Sequence, residues 1–291
     1  MERELWKTIV AALKRLPAAW PRNAEFSNRQ VLAVVLWAAL HDRPISWACA
    51  RRHWPSQAWR RMLPHQSTMS RRMQSATLCE ELLSVMQSVQ AALPDGRILF
   101  TDGKAFELSD HTSDPDAATG RGAGHMDRGF RLHVVTDDQG RVLGWDVTPM
   151  NKAEMQVSRE IVKAMPKPPR ARLIVADAGY DSNALYDAVA SRGMRLIAPR
   201  RKPGRGLGWR QHHRHRLQAI ALVEQRGGWM WPMLRKKRWT IERFFAGLVT
   251  SGVGAAGLPA WVRRLHRVKL WLGAKLVINA ARIVRRNQLH A

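Results

Sequence analysis

RILFTDGK (residues 97–104) and LIVADAGYDS (residues 173–182) are the two stretches that indicate the fold most strongly. In each, a short apolar run ends at an aspartate, Asp102 in the first and Asp177 in the second. Such runs are typical of central strands in a sheet that is covered on both faces. A carboxylate at the end of a central strand is costly to bury unless a cation pairs with it. The two stretches therefore predict a sheet with an acidic, cation-binding site where its strands end.

The chain around these stretches alternates between strand and helix patterns. Further strands are predicted at 130–136, 142–147 and 195–198, and helices at 155–165 and 183–191. This order predicts an α/β layer fold with a mixed sheet flanked by helices. Residues 108–129 are rich in glycine, and we expect a mobile loop beside the site there. Residues 200–216 are basic, and we expect a long loop or arm there.

The first 93 residues have a helical pattern that ends at the turn signal Pro94-Asp95-Gly96. Ser27 is predicted to cap a helix whose apolar residues recur at helical spacing. A second predicted helix, Ser67–Ser75, is capped by Ser67 and carries Arg71 and Arg72. A short, capped, basic helix fits a recognition helix in a major groove, and it fits a solvated helix of a basic protein equally well.

The charge balance points to a polyanionic partner. The chain has 48 Lys and Arg against 23 Asp and Glu, a formal net charge of +25. Nucleic acid is the first candidate for the partner, and an anionic membrane surface is the second.

Several classes of protein are excluded by what the sequence lacks. Cys49 and Cys79 are its two cysteines and form no CxxC pair, which argues against a cysteine-based zinc site. The N-terminus does not resemble a signal peptide, and the longest apolar run, Val31 to Leu40, is too short to span a bilayer. We therefore expect a soluble, cytoplasmic protein with no membrane association.

A third acid, Glu242, lies in the segment RWTIERFF. Arg238 precedes it by four residues, so the two side chains share one face of a helix. Because Arg before Glu is the weaker order for a stabilising pair, helix stability alone explains the pattern poorly. An ordinary surface ion pair remains the alternative.

Together these segments resemble bacterial insertion-sequence transposases of the DDE type, which have a ribonuclease-H-like catalytic domain. The matching segments occur in the family's order: TDGK (101–104), GFRLHVVTDDQG (129–140), ADAGYDS (176–182) and the RxxxE of Arg238 and Glu242. The resemblance covers roughly residues 97–250. It implies a helical region that binds DNA ends over residues 1–93 and a catalytic domain with basic C-terminal helices over residues 94–291.

The resemblance also implies roles for individual residues. Asp102 would bridge two Mg²⁺ ions, for which Mn²⁺ could substitute, and Asp177 and Glu242 would each complete the shell of one ion. Arg238 would contact a DNA phosphate near the cut. The chain departs from the family signature at two positions, where Arg235 replaces a tyrosine and Val249 replaces a lysine. We expect other basic residues to bind DNA instead, namely Arg235, Arg243, Arg71, Arg72, Arg200, Arg201 and Lys202.

The implied activity is cleavage of the element's ends followed by joining to target DNA. Water would first free a 3′-OH, and this hydroxyl would then attack the target, so that one metal pair serves both phosphoryl transfers. The expected partners are double-stranded DNA with terminal inverted repeats, target DNA and a second copy of the chain, within the nucleoid. Three alternatives stay open: a catalytically inactive, transposase-derived repressor, a ribonuclease-H-like nuclease that cannot join, and a structural basic protein.

Overall fold

The computed structural model describes residues 2–17, 20–61, 63–108, 112–122, 124–202, 205–207, 209, 211–225, 227–250 and 253–289. The chain divides into two compact units. The first comprises Met1–Leu93, Glu107–Ala117 and Ala246–Ala291, and the second comprises Pro94–Phe106 and Ala118–Phe245.

The first unit is helical. Its helices are α1 (Glu2–Arg15), α2 (Asn28–Leu40), α3 (Ile45–Ala48), α4 (Gln57–Arg60), α5 (Gln66–Arg72), α6 (Thr77–Gln90) and α11 (Leu265–Leu289), with a 3-10 turn at Arg51–His53. Ser27 caps α2 as predicted, because its side chain accepts from the Gln30 N–H and the Gln30 side chain accepts from the Ser27 N–H. The cap fixes where α2 begins, and the apolar residues of α2 are buried on all sides.

The predicted helix Ser67–Ser75 is wrong in its cap and its bounds. Helix α5 begins at Gln66, and the Nδ1 atom of His65 accepts from the Ser67 backbone N–H at 3.3 Å. The cap is therefore an imidazole nitrogen and not the expected serine hydroxyl. Pro64 lies directly before His65, so the chain before α5 ends there and the helix begins earlier than predicted.

Helix α11 packs against α2 and α6 of the first unit. Its residues from Val268 to Val284 are largely buried, which explains why so basic a segment joins a helical core. The compact units therefore group residues 246–291 with the N-terminal helices, whereas the sequence pattern grouped them with the catalytic domain. The functional assignment of residues 1–93 and 94–291 stays a prediction.

The second unit is built on a mixed sheet. Its strands are β1 (Ile98–Glu107), β2 (Ala118–Arg121), β3 (Met126–Asp137), β4 (Val142–Pro149), β5 (Leu173–Val175) and β6 (Arg195–Ile197). The sheet order is β2-β3-β1-β5-β6, and β4 also pairs with β3. Strands β1, β5 and β6 are parallel, whereas β3 is antiparallel to β2 and β4.

Helices flank this sheet and bury its apolar side chains. They are α7 (Glu154–Ala164), α8 (Asn183–Ser191), α9 (Arg214–Glu224) and the first part of α10 (Met230–Thr250). Leu99, Ile174 and Leu196 of the parallel strands are at most 1% exposed, as expected for strands covered on both faces. The predicted α/β class is confirmed, and the arrangement is consistent with a ribonuclease-H-like fold.

Two regions that were predicted as loops contain regular structure. Residues 118–121 form β2 and pair with the start of β3. Gly120 is needed there because a Cβ atom at this position would lie 2.2 Å from the Met150 carbonyl oxygen. Residues 214–216 of the predicted basic arm are helical, since α9 begins at Arg214, and residues 203, 204, 208 and 210 of the arm lie outside the described residues.

No helix among the described residues combines the length and the apolar character that crossing a bilayer requires.

Candidate active site

Asp102 and Asp177 lie at equivalent positions relative to two neighbouring parallel strands, Asp102 within β1 and Asp177 just after β5. Phe100 of β1 is paired with Val175 of β5, and each aspartate follows its member of this pair by two residues. The prediction that the first strand ends at Asp102 is wrong, because β1 continues to Glu107. Its pairing with β5, however, ends at Phe100 and Val175, so this register brings both half-buried carboxylates to one place. The structure thus brings together the two aspartates that the sequence singled out.

Backbone N–H groups orient both carboxylates. The Gly103 N–H donates to Asp102 Oδ1 at 2.8 Å. Asp177 caps the 3-10 turn Ala178–Tyr180, and its Oδ1 accepts from the Gly179 N–H at 2.7 Å. One oxygen of each aspartate is therefore anchored to the main chain, which restricts the rotation of the side chain.

The charges of this site are unbalanced. The pKa of Asp102 is raised from 3.8 to about 6, chiefly by burial and further by the negative charges of Asp177 and Glu154. The Gly103 N–H and the Arg238 guanidinium act in the opposite direction and lower this pKa. The neighbouring carboxylates have more negative charge than the nearby cations balance. Carboxylate oxygens are the hard ligands that Mg²⁺ prefers. The residues present therefore fit a divalent metal ion.

Helix α10 carries the third predicted acid. Leu234 and Ile241 are buried in the core of the second unit, so the face that holds Glu242 lies beside the buried face of the helix. Arg238 Nη2 donates to Glu242 Oε1 at 3.3 Å, and the Glu242 side chain is 54% exposed.

Arg238 affects two of the acids, because it forms an ion pair with Glu242 and its charge also lowers the pKa of Asp102. The carboxylate oxygens of Asp102, Asp177 and Glu242 do not, however, all lie within 4.8 Å of one another. The β1–β5 register therefore makes Asp102 and Asp177 neighbours, whereas the Glu242 carboxylate is held by Arg238.

Three residues that the sequence pattern did not single out lie next to the aspartates. Tyr180 Oη donates to Glu154 Oε2 at 3.0 Å, and Arg131 forms an ion pair with Glu154 Oε1. Burial raises the pKa of Tyr180 well above its usual range, and the charges of Glu154, Asp102 and Asp177 raise it further. The sequence pattern does not mark Glu154 as a site residue, because an acid in the first turn of a helix ordinarily stabilises the helix dipole.

The basic residues that were predicted to bind DNA differ in their surroundings. Arg235 and Arg243 are exposed on α10. Arg200 forms a bidentate ion pair with Glu224, with N–O distances of 2.5 and 2.6 Å. The exposed Arg201 donates to the Gly179 carbonyl at 2.9 Å, and Lys202 is exposed as well.

A basic groove of about 800 Å³ lies beside the Asp177 turn. Its lining includes the exposed side chains of Arg201, Lys202 and Arg205. Arg216 also lines the groove, but both oxygens of Asp181 accept from it at 2.7 Å. Among the described residues, Arg201, Lys202 and Arg205 therefore form a cationic side of the groove that internal ion pairs leave uncompensated.

Arg71 and Arg72 of α5 also differ. Arg71 is exposed, whereas Arg72 is half-buried and donates to the Phe26 carbonyl and to Asn28 Oδ1. Arg72 thereby ties α5 to the start of α2.

Comparison with known proteins finds a family match that includes the whole second unit and parts of the first. Residues 93–252 match the family described as "Transposase DDE domain". A search of curated proteins finds no match. The matched segment covers more than half of the chain and contains Asp102, Asp177 and Glu242. Transposases act on DNA, and those with a DDE domain generally use divalent metal ions. The chain belongs to the family of transposases with a DDE domain.

Proposed function

We propose that this transposase cleaves the ends of an insertion element and joins them to target DNA by two-metal phosphoryl transfer. Asp102, Asp177 and Glu242 would hold the metal ions. The observation that carries the proposal is the register of β1 and β5. It brings two mutually repelling carboxylates to the place where the pairing of these inner strands ends, and the RxxxE arginine acts on one of them. A structural basic protein has no use for such a site, because it costs folding free energy unless a cation binds.

Each side chain of the site has a role in this proposal. Asp102 would face both ions, and Asp177 would bind one of them. Arg238 would leave Glu242 for a DNA phosphate, which would free the exposed Glu242 carboxylate to turn toward the aspartates. When bound, two Mg²⁺ or Mn²⁺ ions would stabilise the attacking and the leaving oxygen.

The DNA would approach along basic surfaces that meet at the site. Arg235 and Arg243 are exposed on the helix that carries Glu242. Arg201 reaches the Gly179 carbonyl, two residues after Asp177, so its groove leads to the catalytic turn. We assign the phosphates of the element ends and of the target to these surfaces, with a homodimer bringing two ends together. Arg200 has a structural part in this scheme, because Glu224 holds it.

The test uses duplexes that carry the element's own ends, incubated with the purified protein and Mg²⁺ or Mn²⁺. We expect a free 3′-OH at the end and, with target plasmid present, a joined product. Asp102→Asn, Asp177→Asn and Glu242→Gln should each abolish cleavage and leave DNA affinity within about threefold, because the amides keep the shape and lose the charge that binds metal. Glu160→Gln, an exposed acid on α7, is the control that should cut normally.

Other outcomes would separate the remaining alternatives. Cleavage without joining would indicate a nuclease, and end-specific binding without any metal-dependent cleavage would indicate a repressor. A triad variant that cuts at the rate of the unsubstituted protein would remove that residue from the site.

A further inference from the structure

A polar trio of Tyr180, Glu154 and Arg131 lies next to the two aspartates, with Tyr180 and Arg131 buried and Glu154 half-buried. Tyr180 is 1% exposed, and its hydroxyl donates to Glu154 Oε2 at 3.0 Å. The other oxygen of Glu154 is paired with Arg131, whose second amino group donates to the Arg121 carbonyl. A tyrosine hydroxyl and a guanidinium thus hold both oxygens of one carboxylate.

The trio connects the elements that carry the site. Tyr180 ends the 3-10 turn that Asp177 begins, Glu154 lies in the first turn of α7, and Arg131 lies on β3 beside β1. The turn is only three residues long, so a fixed Tyr180 at its end restricts the position of Asp177 at its start. Since Asp102 and Asp177 repel each other, an unanchored turn would relax by moving Asp177 away.

Gly103 leaves the space that this arrangement needs. A Cβ atom at residue 103 would lie 3.0 Å from Arg131 Cδ and 3.1 Å from Glu154 Oε2. The glycine that follows Asp102 therefore allows the Arg131–Glu154 pair to approach β1 next to the catalytic aspartate.

We propose that Glu154 and Tyr180 are positioning residues that hold Asp177 facing Asp102, so that the pair is ready for a divalent ion before DNA binds. The proposal rests on the proposed function, because it assumes that these aspartates bind metal. Tyr180 acts through Glu154 and Arg131 anchors Glu154, and none of the three has to touch the ion.

The test measures Mn²⁺ binding to the full chain without DNA, from the electron paramagnetic resonance signal of the free ion. Tyr180→Phe removes one hydroxyl with no change of charge, and we expect the affinity to fall about tenfold, as for other outer partners of metal ligands. Glu154→Ala should cause a similar loss. Glu154→Gln should lose less, because its amide oxygen can still accept from Tyr180.

The matched control is Tyr186→Phe. Tyr186 is also 1% exposed, but its hydroxyl donates to the Ala198 carbonyl at 3.4 Å and does not contact Glu154. This variant should bind Mn²⁺ as the unsubstituted chain does. Thermal unfolding of each variant shows that it is folded, and Glu154→Gln keeps the test open should the alanine variant not fold.

The possible outcomes separate this proposal from the proposed function. Tyr180→Phe with unchanged Mn²⁺ affinity would overturn the positioning role. Glu154→Gln as damaging as Glu154→Ala, with Tyr180→Phe harmless, would make Glu154 a direct ligand and also overturn it. Should Asp102→Asn and Asp177→Asn bind Mn²⁺ normally, the metal site itself is wrong, whatever Tyr180 does.

Discussion

At the scale of single residues, Asp102 is a charge that the metal-free fold disfavours. Its pKa is raised from 3.8 to about 6, so the folded state loses stability as the pH rises through this interval. We expect Asp102→Asn to stabilise the protein in EDTA at pH 7 by roughly 2 kcal/mol, an amount that allows for its partial exposure. Urea unfolding at pH 7 and pH 4 measures this gain, which should vanish at pH 4.

In Mg²⁺ the unsubstituted protein should become more stable than Asp102→Asn, the reverse of their order in EDTA. The unsubstituted protein should gain stability from the ion because the ion binds only the folded state, and the variant should gain little. An Asp102→Asn protein that is less stable in EDTA would contradict the charge imbalance inferred for the site.

His133 is a second buried titratable residue, placed on β3. It is 1% exposed, its Nε2 atom is hydrogen-bonded to Thr148 Oγ1 at 2.9 Å, and burial together with the charge of Arg131 lowers its pKa from 6.5 to about 3. Between these values the unfolded chain binds a proton that the fold does not, so stability falls as the pH falls.

We expect His133→Gln to flatten the pH dependence of the unfolding free energy between pH 6.5 and pH 3. The difference in slope should reach at most about 1.4 kcal/mol per pH unit, the value for one proton. Urea titrations at a series of pH values measure it. Parallel curves for the two proteins would mean that His133 is protonated in the folded state.

Among the secondary-structure elements, helix α5 carries two arginines with different surroundings. Arg72→Ala would leave the Phe26 carbonyl and Asn28 without their donor, so we expect a loss of about 1–3 kcal/mol in stability. Arg71→Ala should change stability by less than about 0.5 kcal/mol, because Arg71 is exposed. Its effect should instead be a weaker preference for terminal repeats over random DNA.

Unfolding curves and competition binding on the same two variants separate stability from recognition. An Arg71→Ala protein that keeps its preference would make α5 a structural helix, and residues 1–93 would then need another recognition surface.

At the scale of the whole molecule, the net charge of +25 predicts binding that depends steeply on salt. Replacing Arg201, Lys202 and Arg205 with Gln should make the log–log slope on duplex DNA shallower by up to about 0.9 for each phosphate that these side chains neutralise. Specific and random DNA should weaken about equally, because phosphate contacts carry no sequence information. Affinities at several salt concentrations, measured in EDTA to prevent cleavage, test this.

The control for the groove changes the same number of charges elsewhere. Lys163, Lys167 and Arg170 are exposed and lie outside the groove lining. Gln at these three positions should leave the slope nearly unchanged. Equal flattening by both triple variants would show that the general positive field binds DNA and that the groove has no special part.

The strands other than β2, the helices α7 and α8 and the two aspartates were predictable from the sequence. Helix α8 has the predicted bounds, and the strands near the site differ from prediction chiefly in length, because apolar periodicity and turn residues act over a few neighbouring positions. The aspartates were predictable for the same reason, since a charge that ends an apolar run is visible in the run itself. Strand β2 was missed because its four residues lack an apolar pattern and pair through the backbone.

The partners of the charged side chains, in contrast, depend on the folded structure. Arg72 bonds to Phe26, Arg200 to Glu224 and Tyr180 to Glu154, across separations of 46, 24 and 26 residues. A basic residue that binds DNA and one that anchors a helix look alike in sequence, because the difference lies in which distant group the fold brings within hydrogen-bonding distance. Glu154 was not predictable for the same reason, because its contacts form only where α7, β3 and the Asp177 turn meet.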